Sequence, residues 1–104
     1  MSQRRVKAPV TFERATTTSY PADGVVFVHG ARTLQVGLFE DGTGQVAGTL
    51  KFRIGEGVSI EVGLPANNLY ELKVPGGCSK DCLPVIELDA KASAGTPKLV
   101  ILAV

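Results

Sequence analysis

From Leu34 to Val74 apolar and polar residues alternate, and the breaks fall at glycine or proline turns. A period of two sends every second side chain to the same face, so the pattern predicts a half-buried antiparallel sheet. Thr33–Phe39 reads as one strand, with Leu34, Val36 and Leu38 on one face. After the polar loop Glu40–Gly44, the alternation resumes from Gln45 to Ile54, with Val46, Gly48, Leu50, Phe52 and Ile54 on one side and Thr49, Lys51 and Arg53 on the other. Gly55-Glu56-Gly57 is a hairpin signal whose last glycine suits a bulged turn. If Ile54 faces Val58, then Phe52 pairs with Ile60 and Leu50 with Val62 on the buried face. Lys51 then falls opposite Glu61 on the outer face, each pair contributing roughly 0.2–1 kcal/mol.

The flanking segments are shorter. Asp23-Gly24 marks a turn into a strand Val25–His29 that Gly30 stops. Leu64–Asn68 turns into a strand Leu69–Val74, and Pro75-Gly76-Gly77 opens a loop ending near Leu83-Pro84. Val85–Leu88 and Leu99–Val104 are the last strands, separated by a small-residue loop, Asp89–Pro97. Leu99–Val104 is apolar on both faces and needs cover on both, either as a central strand or against a neighbouring subunit. Residues 1–22 are irregular and basic, and predict a partly extended N-terminal arm with one short strand. The expectation is an all-β chain, one domain over residues 1–104, built as an antiparallel β-sandwich or jelly-roll-like barrel of seven to eight short strands.

Composition agrees with many short strands joined by tight turns: the 104 residues include 12 Gly and 6 Pro, and suffice for one core. Eleven Lys and Arg against 10 Asp and Glu leave a net charge of +1, which gives no general attraction to nucleic acid or an anionic membrane. The basic residues do cluster locally, at Arg4, Arg5, Lys7 and Arg14. No aromatic residues are interleaved there for stacking, so specific nucleic-acid recognition is not expected and a solvated or partner-bound arm is. Met1–Val10 lacks the apolar centre of a signal peptide, and no stretch approaches the roughly 18 apolar residues of a membrane span. These features predict a soluble chain made in a cytoplasm.

Candidate chemistry is sparse. His29 is the single histidine, at a strand end with no nucleophile motif beside it, and reads as a satisfied or solvent-facing strand residue. Cys78 and Cys82 can form a local disulfide or remain reduced thiols. With one histidine they cannot complete the four ligands of a structural zinc, and their three-residue spacer differs from that of thioredoxin-like sites. Gly76–Lys80 lacks the order of a phosphate loop, and Glu40, Asp41 and Thr43 read as solvated turn residues rather than a calcium site. Neither a catalytic residue, a cofactor site nor a metal site is predicted, and the expected role is non-enzymatic.

The run Leu34-Gln35-Val36-Gly37-Leu38, the strand Thr49-Leu50-Lys51-Phe52 and the alternating Leu69–Val74 lie within Arg32–Val74. That segment resembles small β proteins of tailed and tail-less phage particles, including spike-base and decoration-like components. A short apolar strand such as Val100–Val104 also ends several of those chains. The resemblance implies a structural virion protein, localised to the particle after synthesis in the host cytoplasm, that works by assembly. On this expectation the chain is a capsid-associated, vertex or decoration protein that forms a homo-oligomer and contacts neighbouring virion subunits. Arg4, Arg5, Lys7, Leu99, Ile101 and Val104 are then the candidate interface residues. The alternative is a monomeric β-sandwich binding module that recognises a host protein or glycan through the loops Glu40–Gln45 and Gly76–Pro84. Two Tyr, four Phe and no Trp argue against a sugar-stacking site.

Overall fold

The apolar positions of the alternating pattern lie where a period of two sends them: Leu34, Val36, Leu38, Leu50 and Phe52 are all buried. The computed structural model describes residues 4–20, 25–76 and 83–104, and these form no helix and ten strands, more than the seven to eight expected, because the N-terminal segment supplies two and residues 45–54 divide into two. In chain order they are β1 (Arg4–Lys7), β2 (Val10–Ala15), β3 (Val26–His29), β4 (Thr33–Glu40) and β5 (Gly44–Val46), then β6 (Gly48–Ile54), β7 (Ile60–Leu64), β8 (Tyr70–Lys73), β9 (Ile86–Ala92) and β10 (Lys98–Ala103). One five-stranded sheet has the order β1-β3-β9-β6-β7; the other runs β2-β10-β4-β5, with β8 also paired to β4. Apolar side chains from both sheets join in one cluster, including Val26, Val28, Leu50, Ile86 and Leu88 from the first and Leu34, Val36, Leu38, Leu99 and Ile101 from the second. No helix of the described residues is long and apolar enough to cross a membrane.

The β6–β7 hairpin has the register that charge and apolar pairing predict: Leu50↔Val62, Lys51↔Glu61 and Phe52↔Ile60. It lies at the rim of its sheet, so Ile60, expected on the buried face, is 47% exposed. The chain otherwise departs from expectation in three places. Residues 45–54 form two strands rather than one: β5 belongs to the second sheet and β6 to the first, with only Ala47 between them. Gly48 permits this switch, because a Cβ there would sit 2.3 Å from Leu38 Cδ1 and 2.4 Å from the Lys91 carbonyl oxygen. The segment expected as an arm contributes two strands, one to each sheet. β1 lies parallel to β3 and β2 antiparallel to β10, and the Ala8 N–H donates to the His29 carbonyl at the crossing. Third, β9 extends to Ala92, through residues expected to be loop.

That extension buries Asp89, whose side chain is 4% exposed. β3 covers β9 only as far as Leu88, and beyond it the end of β2 takes over. There the Arg14 guanidinium donates to Asp89 Oδ1 at 3.0 Å, the Ala90 N–H donates to the same oxygen, and the Ala92 N–H donates to the Thr17 carbonyl. Arg14, read from sequence as part of a solvated or partner-bound arm, is thus committed inside the fold. Among the described residues its Nε and Nη1 are buried without a hydrogen-bond partner, so Asp89 is its one anchor there.

β10 is the central strand of its sheet, paired on both sides with β2 and β4. Of the two readings of Leu99–Val104, the strand takes the central one. Asp23-Gly24, Cys78 and Cys82 lie outside the described residues.

Four variants test this packing. Gly48→Ala forces a methyl group against main chain and is expected to cost about 1–3 kcal/mol in denaturant unfolding, as overpacking does. Gly63→Ala, where a Cβ meets nothing within 4 Å, should change stability by less than about 0.5 kcal/mol. Asp89→Ala strands a buried guanidinium and is expected to cost about 3–5 kcal/mol, whereas Arg14→Met combined with Asp89→Ala should recover part of the loss.

Candidate functional site

The outer face of the first sheet gathers most of the residues of interest. In β1 the period of two turns Arg5 and Lys7 outward and Val6 toward the core, and the parallel register sets Arg5 beside Phe27 and Lys7 beside His29. The Arg5 guanidinium lies over the Phe27 ring, 5.3 Å from its centroid, a cation–π contact that holds it against the sheet. Arg5, Val6, Lys7, His29 and Gly30, together with Leu83 and Val85 ahead of β9, line a cleft of about 440 Å³. Among the described residues its lining combines cationic side chains with an apolar wall and holds no carboxylate, a chemistry that suits an anionic group carrying an apolar body.

The opposite rim of the same sheet is β7. Val58, just ahead of it, is 82% exposed and Ile60 is 47% exposed. Among the described residues β7 pairs only with β6, so its outer row of main-chain N–H and C=O groups has no strand beside it. Glu61 is the strand's one charge. Its Oε2 accepts the Tyr20 hydroxyl at 2.8 Å, and the Tyr20 ring in turn lies under the ammonium groups of Lys51 and Lys91, at 4.5 and 4.9 Å. Tyr20 thereby ties the segment after β2 across the face of the sheet, next to the β7 rim.

Of the residues singled out from sequence, Arg5 and Lys7 sit on the β1 edge, exposed and beside each other. Arg4 belongs to the same strand. Leu99 and Ile101 are corrected: both side chains are fully buried in the chain's own core and present nothing to a partner, because alternate residues of a central strand fill the space between the sheets. Val104 is 66% exposed and stands just past the end of β10 in the second sheet, its N–H donating to the Thr33 carbonyl. Val58, Ile60 and Glu61 were not among the expected interface residues. Their signal was present in the hairpin itself, whose second strand carries apolar residues on a sheet that the sequence cannot identify as ending there.

Tyr20 carries a pH signature. Burial, then the hydrogen bond to Glu61 and the nearby negative charges of Glu61 and Asp89, push its phenol well above the ordinary value of 10.0. An unfolded phenol ionises near that value while the folded one stays protonated, so the stability it contributes is intact below about pH 10 and is lost as pH rises beyond it. Tyr20→Phe is expected to lower stability at pH 7 by roughly 0.5–1.5 kcal/mol and to flatten its decline above pH 10, measured by urea unfolding across pH 7–11.

With the fold and these surfaces in view, comparison with known proteins gives no match for this chain among protein-family models, curated proteins or solved structures.

Proposed function

We propose that this chain is a non-enzymatic structural component of a phage particle, a small capsid-associated, vertex or decoration protein. Its two sheets close as a β-sandwich that assembles with copies of itself and with neighbouring virion subunits through sheet edges. The observation that carries this reading is the β7 rim, where a strand edge unpaired among the described residues coincides with exposed Val58 and Ile60. Soluble proteins blunt such edges with charge, proline or a covering segment, and an apolar edge left open suits a strand that another chain covers. The likeness of Arg32–Val74 to phage structural proteins supplies the setting.

The cleft beside β1 favours a second reading, a monomeric binding module for a host protein or glycan. Leu83 and Val85, just ahead of β9, give it an apolar wall, and Arg5, Lys7 and His29 supply polar contacts.

Light scattering after size exclusion separates the two. On the assembly reading the wild-type chain has the mass of a discrete oligomer, and Val58→Lys with Ile60→Lys reduces it to the monomer without lowering the melting temperature. A wild-type monomer at all concentrations up to millimolar overturns self-assembly and leaves the binding module.

A further inference from the structure

The first sheet ends in two edges of opposite character. β1 offers Arg5 and Lys7 on its outer face and Val6 on its inner one; β7 offers Glu61 outside and Ile60 and Val62 inside. Following the pairings across the sheet, β1 runs parallel to β3, β3 antiparallel to β9, β9 to β6 and β6 to β7, so β7 is antiparallel to β1. Two copies placed side by side in the same orientation therefore bring β7 of one against β1 of the next in an antiparallel sense, with both core-facing surfaces on the same side.

We infer that a second copy of this chain occupies the β1 edge through its β7 strand, in the register Val6↔Ile60, Arg5↔Glu61 and Lys7↔Ser59. This deepens the assembly reading above and rests on it. Three features select the pairing. Side-chain alternation demands that Val6 meet an even-numbered β7 position, because Ile60 and Val62 are the residues opposite Phe52 and Leu50. Setting Ile60 there covers the exposed apolar residue and continues the inner row Val28–Val6 into the neighbouring copy. The same register then puts the Arg5 guanidinium, held against Phe27, opposite the Glu61 carboxylate, held by Tyr20, as an opposite-charge cross-strand pair.

The symmetric alternatives lack this match. Pairing β1 with itself about Val6 opposes Arg5 to Lys7, two cations. Pairing β7 with itself about Val62 opposes Glu61 to Gly63 and forms no ion pair. Head-to-tail pairing uses each edge once per copy, and so closes into a ring whenever the rotation between copies divides a full turn.

Charge reversal tests the pairing. Arg5→Glu alone and Glu61→Arg alone are each expected to weaken self-association at least tenfold by light scattering. The double variant should restore it, since every contact again joins opposite charges, and an equimolar mixture of the two should restore it wherever the two alternate. Where Glu61→Arg disturbs the Tyr20 contact and lowers the melting temperature, Glu61→Gln, which keeps an acceptor for the phenol, takes its place beside Arg5→Glu. Association that survives Arg5→Glu but is lost with Ile60→Lys overturns the head-to-tail pairing while leaving assembly through β7 intact. A wild-type chain that never associates overturns both.

Discussion

Asp89 lies in a strand at the middle of its sheet, one residue past the point where the pairing of β3 with β9 ends among the described residues. A carboxylate sealed there costs several kcal/mol unless a cation and hydrogen bonds meet it. Arg14 meets it from near the end of β2, the edge strand of the opposite sheet, and the Ala90 N–H adds a second donor. The pair fixes where β2 ends relative to β9, which in turn places Thr17 on the Ala92 N–H and swings Tyr20 over Lys51 and Lys91. The closure of the sheets at this end, and the contact of Tyr20 with Glu61 at the far rim, both descend from that one ion pair.

The same geometry explains what could be read from residue order. Alternation gave the inner faces of β4 and β6 residue by residue, and the Lys51–Glu61 match gave the β6–β7 register, because both are local properties of a strand or a tight turn. It could not reveal the change of sheet at Ala47, since Val46, Gly48 and Leu50 keep an unbroken period of two through the crossing. What distinguishes Gly48 is its contact with Leu38 and the Lys91 carbonyl, residues distant in sequence. The sequence predicts that β9 stops at Leu88 because Asp89 and Lys91 are poor strand formers taken singly; Asp89 is secured in the sheet by Arg14, from 75 residues away. The N-terminal segment reads as an arm for a similar reason. Its partners, β3 and β10, are not its neighbours in sequence.

For the functional surfaces the division is sharper. The basic character of Arg5 and Lys7 was plain from sequence, and the structure adds that they share one face of an edge strand. Leu99 and Ile101 illustrate the reverse: a run apolar on both faces predicts double cover, yet only the fold reveals that the cover comes from β2, β4 and the facing sheet. Val58 and Ile60 could be recognised as an edge only once the order of strands was known. Sequence pattern reports which side chains want to leave water, and strand order reports which of them have not done so.

Among the described residues only the β4–β5 and β6–β7 hairpins keep the chain within one sheet; every other step between consecutive strands changes sheets. β10 stands between β2 and β4, so the second sheet lacks its central strand until residues 98–103 have emerged from the ribosome. Before that moment the two hairpins are the only elements that can form from contacts close in sequence, and β2 has no strand to pair with. Synthesis of this chain therefore passes through a period in which its most apolar surfaces are made but not yet enclosed, which makes the speed with which β10 docks a determinant of yield as well as of structure.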